Sequence, residues 1–323
     1  MLHRLLALGG ILLACSALQL RAQDSVRLSG LIYADYAYTI TSPDGTSDGE
    51  NAFQYRRAYL TADFVKSDRF SGRLRLDGAG SRLNGSGPQT PFVKDLFLVW
   101  KNAIGEGHNL TMGLSPPPVF GISEAQWGYR GLEKTIQDRA GISSSRDQGV
   151  KLSGPLGRLP SVRYSVMVAG NTSVSPEDDK YKKVYGQLEF KPGERFHGTL
   201  GSSFADRADG SQMDVNGFIG YTSGGTNVGI EAFHSVRTID AAPGDLQRTG
   251  ISVFARHAVS DSKRLIGRVD VFETPTVRNT WVTAGFAFVP ESGIQFVPNV
   301  IWSKDDIDDN PEVIARMTMI VSF

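Results

Sequence analysis

The closing stretch Glu312-Val313-Ile314-Ala315-Arg316-Met317-Thr318-Met319-Ile320-Val321-Ser322-Phe323 decides how the rest of the chain is read. Val313, Ala315, Met317, Met319, Val321 and Phe323 fall on one side of an extended chain. Ile314, Arg316, Thr318, Ile320 and Ser322 fall on the other. Successive side chains of a strand point to opposite faces, so this alternation describes a strand with one fully apolar face.

The same period runs backward through the sequence. Phe70, Leu74 and Leu76 oppose Ser71, Arg73, Arg75 and Asp77, and Val184, Leu188 and Phe190 oppose Tyr185, Gln187 and Glu189. Sixteen such segments are read, at about 26–40, 53–65, 70–80, 92–101, 108–115, 147–154, 161–170, 183–191, 196–205, 212–222, 226–236, 248–259, 264–273, 279–289, 293–303 and 312–323. Links with turn chemistry, such as 66–69, 192–195, 223–225, 261–263 and 290–292, alternate with mostly longer polar ones at 41–52, 81–91, 171–182, 237–247 and 304–311. Short turns at one end and longer loops at the other predict an all-β fold, a transmembrane antiparallel β-barrel of about sixteen strands. A soluble sandwich or solenoid would not pair short and long links so regularly. The even count puts both termini on the periplasmic side.

Composition fits once the barrel is assumed. Hydrophobic residues make up only 40% of the 323, because each spanning strand gives half its residues to a wet lumen. Lysine and arginine balance aspartate and glutamate at 34 each, which argues against a nucleic-acid partner. Residues 1–22 read as a secretory signal peptide: His3 and Arg4 precede the apolar run Leu5 to Leu18, and cleavage is expected after Ala22. Leu12-Leu13-Ala14-Cys15 offers a weaker lipoprotein reading. Cleavage removes the only cysteine, Cys15, and turns the neutral total slightly acidic. Residues 23–323 form the expected barrel.

Several stretches resemble the phosphate-selective porin O and P family. Phe53-Gln54-Tyr55-Arg56-Arg57-Ala58-Tyr59-Leu60 is similar to its arginine-pair strand, and Phe70 to Asp77 to the strand that follows. Val93-Lys94-Asp95-Leu96-Phe97-Leu98 with Met112-Gly113-Leu114-Ser115-Pro116, and Arg146-Asp147-Gln148-Gly149-Val150-Lys151-Leu152-Ser153-Gly154, match in order and spacing. The likeness covers about 53–170 and is mainly topological beyond. The closing Phe323 on an alternating strand is similar to the assembly signal of bacterial outer-membrane barrels. The resemblance implies a sixteen-stranded outer-membrane porin, commonly a homotrimer, passing small hydrophilic solutes or anions such as phosphate. Its partners would be those solutes together with outer-membrane lipid and lipopolysaccharide.

Face parity nominates the lumen residues. Ala58, Leu60, Ala62 and Phe64 would face lipid, so Arg57 faces in; Arg56 follows only if a bulge intervenes. Arg73 and Arg75 lie on the next strand, and Lys151, Arg163, Arg268 and Arg316 also fall on polar faces. Arginine stays charged and binds oxyanions through two parallel donors, which makes Arg57, Arg73, Arg75, Arg163, Arg268 and Arg316 pore-lining, anion-binding candidates. The competing reading pairs them with Asp35, Asp63, Asp77 and Asp270. The link from Pro116 to Arg146, third on the external side, is too long to be idle. It is expected to fold inward, with a short helix near 132–139 and with Arg130, Lys134 and Arg139 at a constriction. Tyr36, Tyr38, Trp100, Trp281 and Trp302 near strand ends suit an interfacial girdle.

No enzyme is expected. His234-Ser235 places its two residues on opposite faces of a strand, and the remaining histidines lack metal-ligand spacing. No metal or cofactor is called for. The main alternative to a conducting channel is a structural or adhesive barrel whose packed lumen blocks flow.

Overall fold

The computed structural model describes residues 25–79, 90–157, 159–240 and 244–323. The expected signal peptide and Cys15 lie outside the described residues. Sixteen strands follow one another: β1 (Ser25–Thr41), β2 (Asn51–Val65), β3 (Phe70–Ala79) and β4 (Phe92–Trp100). Then come β5 (Asn109–Ser115), β6 (Asp147–Leu156), β7 (Leu159–Ala169) and β8 (Lys183–Phe190). The second half holds β9 (Phe196–Arg207), β10 (Gly210–Ser223), β11 (Thr226–Ile239) and β12 (Leu246–Ser260). It ends with β13 (Lys263–Glu273), β14 (Arg278–Glu291), β15 (Ile294–Asp305) and β16 (Glu312–Ser322). Each pairs antiparallel with its sequence neighbours, and β1 pairs with β16, so the sheet is a closed barrel. Closure removes every sheet edge, which is what a strand assembly in lipid requires.

Every expected segment is a strand, and the alternation survives in three dimensions. On β9 and β10, Thr199, Ser203, Gln212, Asp214 and Asn216 are buried inside, while Leu200, Phe204, Met213, Val215 and Ile219 stand exposed outside. A polar interior under an apolar exterior is the inverse of a soluble sandwich and the pattern of an outer-membrane barrel.

The ladder between β1 and β16 extends to the last residue. Gly30 and Phe323 exchange backbone hydrogen bonds of 2.8 and 3.2 Å. The Phe323 ring lies across Gly30, so closely that a Cβ there would meet Phe323 Cζ at 2.1 Å. A larger side chain at Gly30 would displace the exposed ring.

Two features depart from the expected outline. The long-link end is not uniformly long: β9 and β10 run past their expected ends and leave only Ala208 and Asp209 between them. The inward segment 116–146 carries its helix elsewhere. Helix α1 spans Gly121–Trp127, and α2, Ile136–Arg139, is a single turn in place of the helix expected over 132–139. The run Pro116-Pro117-Pro118 blocks a helix until Gly121. Gly128 then closes α1 in the left-handed region at φ 69°, donating its backbone N–H to Glu124.

Candidate functional site: the inward loop and the facing wall

The segment 116–146 lies inside the barrel. Trp127, Leu132 and Ile136 have no solvent exposure, which a loop projecting outward would not achieve. Trp127, Tyr129 and Leu132 pack with Tyr33, Phe218, Phe254, Ile266 and Val297, drawn from strands around the lumen. Ile136 and Ile142 pack on Phe233, while Val119 and Phe120 pack on Met167 and Tyr185.

Barrel side chains bind the loop backbone. Arg316 Nη2 donates to the Leu132 carbonyl at 2.8 Å, Arg268 Nη1 to the Lys134 carbonyl at 2.5 Å, and Gln187 Nε2 to the Val119 carbonyl at 2.6 Å. Arg56 donates to the Gly131 carbonyl. Lys151 Nζ reaches the Pro116 carbonyl at 2.8 Å. Arg268 and Arg316 do face the lumen, but their donors hold the loop, and Arg268 also forms a two-point pair with Asp270. A buried loop carbonyl needs a donor, and a barrel arginine supplies one without exposing an unpaired group.

A cavity of about 330 Å³ separates the loop from the wall of β1–β3. Tyr33, Tyr59, Arg75 and Arg146 line the wall side, and Glu124 and Arg130 line the loop side. Arg146 ends the loop and enters β6, so it joins the wall from the far side. Arg130 pairs with Glu124 and, at 2.9 Å, with Asp138. Lys134 stands 3.7 Å from Asp138. Arg139 turns away from the passage, 3.4 Å from Asp270 and over the Trp281 ring. Burial raises the Tyr129 hydroxyl above its ordinary value, against the nearby Arg264 and Arg256. Burial lowers the Arg139 guanidinium, and Asp270 opposes that shift.

The wall holds more cations than the sequence reading assigned. In the β1–β2 pairing the register skips Arg56, because Tyr33 faces Arg57 and Ala34 faces Tyr55. In the β3–β4 pairing it skips Lys94 in the same way. Each bulge opposes two residues to one, which breaks parity locally and lets adjacent side chains share the inner side. Arg56 therefore reaches Asp35 while Arg57 reaches Tyr59 and, at 3.1 Å, Asp77. Lys94 reaches Asp77 at 3.0 Å beside the inward Asp95. Arg75 lies 3.3 Å from Asp95, which also binds Arg146. Arg73 makes a two-point pair with Asp63 at 2.6 and 3.0 Å.

Pairing of wall arginines with carboxylates is thus real, but it does not neutralise the wall. Six cations (Arg56, Arg57, Arg73, Arg75, Lys94 and Arg146) share four carboxylates (Asp35, Asp63, Asp77 and Asp95). Asp77 and Asp95 each serve two cations. The Tyr59 ring sits among three of them, with Arg75 at 4.8 Å, Arg57 at 5.4 Å and Lys94 at 5.7 Å from its centroid. A ring face among cations attracts them through its quadrupole.

Other expected residues fall elsewhere. Arg163 is exposed near the short-link end of β7, opposite Glu189 and remote from the loop. Trp281 does not belong to the outer girdle: it is buried in the lumen and faces Arg139 and Arg268. Its neighbours Val282 and Ala284 take the lipid side, which parity alone requires. His234 points outward to Thr249 while Ser235 is buried inside.

Neither protein-family models nor curated protein sequences match the chain. Solved structures do. OmpF of Salmonella typhi, in complex with daunomycin, is 12% identical with a TM-score of 0.68 over 93% of this chain and 98% of that one. OmpT of Vibrio cholerae, an outer-membrane protein in a trimer form, is 13% identical with a TM-score of 0.64 over 93% and 99%. A porin refined at 1.8 Å resolution is 13% identical with a TM-score of 0.62 over 93% and 100%. The chain has the porin-type barrel fold. The likeness is to porins at large and does not single out the phosphate-selective family.

Proposed function

We propose that this chain is a porin of the bacterial outer membrane through which small hydrophilic solutes diffuse passively, with a bias toward anions. The observation that carries the reading is the cavity between the inward loop and a wall where six cations, two of them (Arg75 and Arg146) lining the cavity, meet four carboxylates. Fixed charge on a narrow lumen sets ion preference through its potential. The bulge that turns both Arg56 and Arg57 inward restores the arginine pair of the phosphate-selective family, which supports phosphate among the anions. Reconstituting the folded protein in planar bilayers under a KCl gradient tests this. Channels with a zero-current potential of the anion-selective sign are expected. A cation-selective sign overturns the anion bias, and absence of current overturns the channel.

The apolar cluster that carries the loop across the lumen favours one competing reading, a barrel with a structural role and no flow. The same measurement separates the two. A homotrimer is proposed as well. It is supported by the trimeric Vibrio neighbour and by an apolar groove of about 400 Å³ on the outer face, lined by Ala34, Tyr36, Phe53, Tyr55, Met317 and Met319. Sedimentation in detergent reads the oligomeric state directly.

A further inference from the structure

One cation on the outer surface takes no part in the lumen. At the short-link end, the turn between β2 and β3 brings Arg69 beside Trp100, the last residue of β4. The Arg69 guanidinium lies over the Trp100 ring, 5.6 Å from its centroid, and the Phe70 ring packs on the same indole at 5.9 Å. Phe70 and Trp100 face each other in the β3–β4 register, and they share the outward parity of the exposed Leu74 and Leu98. The Lys101 backbone N–H donates to the Arg69 carbonyl at 2.8 Å and fastens the turn to the end of β4. Arg69 itself is exposed. A cation is thus stacked on an aromatic pair at the edge of the lipid-facing band, where tryptophan marks the boundary between hydrocarbon and headgroups.

The charges around it leave one cation over. Residues 63–74 and 100–108 carry Lys66, Arg69, Arg73 and Lys101 against Asp63, Asp68 and Glu106. Arg73 and Asp63 are taken up by their own two-point pair. Arg69 has no carboxylate within salt-bridge distance among the described residues. Stacking on a ring uses the flat face of a guanidinium and leaves the N–H groups at its edge available, and those match the paired oxygens of a phosphate group. Below the pair, the outward side chains Leu74, Leu98 and Met112 form an exposed apolar track, with Leu98 and Met112 adjacent across β4 and β5.

We propose that Arg69 and Trp100 form a site on the outer wall for an anionic phospholipid of the periplasmic leaflet. Its phosphodiester accepts from the Arg69 fork, and its acyl chains lie along Leu74, Leu98 and Met112. A lipid of net charge −1 supplies the one negative charge that the surroundings lack, which a zwitterionic lipid does not. Free inorganic phosphate would meet the same fork and none of the apolar track. The site rests on the outer-membrane location of the barrel and is independent of whether the lumen conducts.

The test uses the folded barrel in phosphatidylcholine vesicles and reads quenching of tryptophan fluorescence by dibrominated lipids. Trp302→Phe serves as the reference protein, because Trp127 and Trp281 are buried in the lumen and Trp100 is then the only outward tryptophan. Dibrominated phosphatidylglycerol is compared with dibrominated phosphatidylcholine at the same low fraction. A preference of about fivefold for phosphatidylglycerol at Trp100 is expected from one arginine at a headgroup. Arg69→Gln in the reference should bring the two lipids to equality, and Arg69→Lys, which keeps the charge and loses the fork, should keep only part of the preference. Heat-modifiable mobility on gels checks that each variant is folded, and the exposed turn position makes both substitutions mild. Equal quenching by the two lipids in the reference overturns the site, as does an undiminished preference in folded Arg69→Gln. A full preference in Arg69→Lys overturns the assignment of binding to the guanidinium fork.

Discussion

Replacing Arg75 with Gln removes one of the six wall cations where the passage runs beside them. The change is structurally mild, because the buried Asp95 keeps its pair with Arg146. A buried carboxylate left with no partner would cost about 3–5 kcal/mol and endanger the fold, so Arg75 alone is the informative choice. An ion in a passage this small comes within about 6 Å of the guanidinium, where two unit charges in water interact by about 0.7 kcal/mol. Loss of the charge weakens an anion and favours a cation by that amount each, a relative change of about 1.4 kcal/mol or tenfold. Screening over a Debye length of about 10 Å at 0.1 M reduces the change to about fourfold. At 1 M the Debye length of about 3 Å leaves about 1.4-fold. Zero-current potentials across KCl gradients centred on these two concentrations report the chloride-to-potassium permeability ratio. An unchanged ratio at low salt would refute the assignment of Arg75 to the conduction path. An equal change at both salts would refute the electrostatic argument, since a field effect must be screened.

Three further outcomes follow from the geometry. Arg268→Ala with Arg316→Ala removes two charge-assisted donors from the Lys134 and Leu132 carbonyls, at about 1.5–3 kcal/mol each. The loop should loosen, with larger and noisier single-channel currents and faster tryptic cleavage at Arg130 and Lys134; identical currents and cleavage would show that the apolar cluster alone holds it. Gly128→Ala places a Cβ 2.3 Å from Arg256 Nη1 at a left-handed residue and should cost about 1 kcal/mol or more, read as a lower unfolding temperature of the folded barrel. Gly30→Val drives a branched side chain into the Phe323 ring and should lower the yield of the heat-modifiable folded form, whereas Phe323→Ala in the same background should recover part of it.

The strands were legible because a sheet with one lipid face and one wet face writes itself as period 2. On β10, for example, inward residues are buried and outward ones more exposed without a break from Gln212 to Gly220. The lumen site was legible only where that period held. Arg57, Arg73 and Arg75 were placed by it. Arg56 and Lys94 were not, because a bulge adds one residue and leaves no mark in the pattern of apolar and polar letters. The inward faces of Arg268 and Arg316 could be read, but their partners could not. What a lumen arginine touches depends on where a distant loop comes to rest, and that is set by packing of Trp127, Leu132 and Ile136.

The inward loop also has a mechanical meaning. It is held at Arg56 on β2, Gln187 on β8, Arg268 on β13 and Arg316 on β16, at stations spread around the circumference. A hollow tube of sheet flattens easily, because bending strands about one another breaks no ladder hydrogen bond. A strut fastened across the bore resists that flattening, since ovalising the wall would pull the fastened carbonyls from their arginines. The segment that crosses the bore is thus also the brace that keeps it round, so shortening it would give up stiffness.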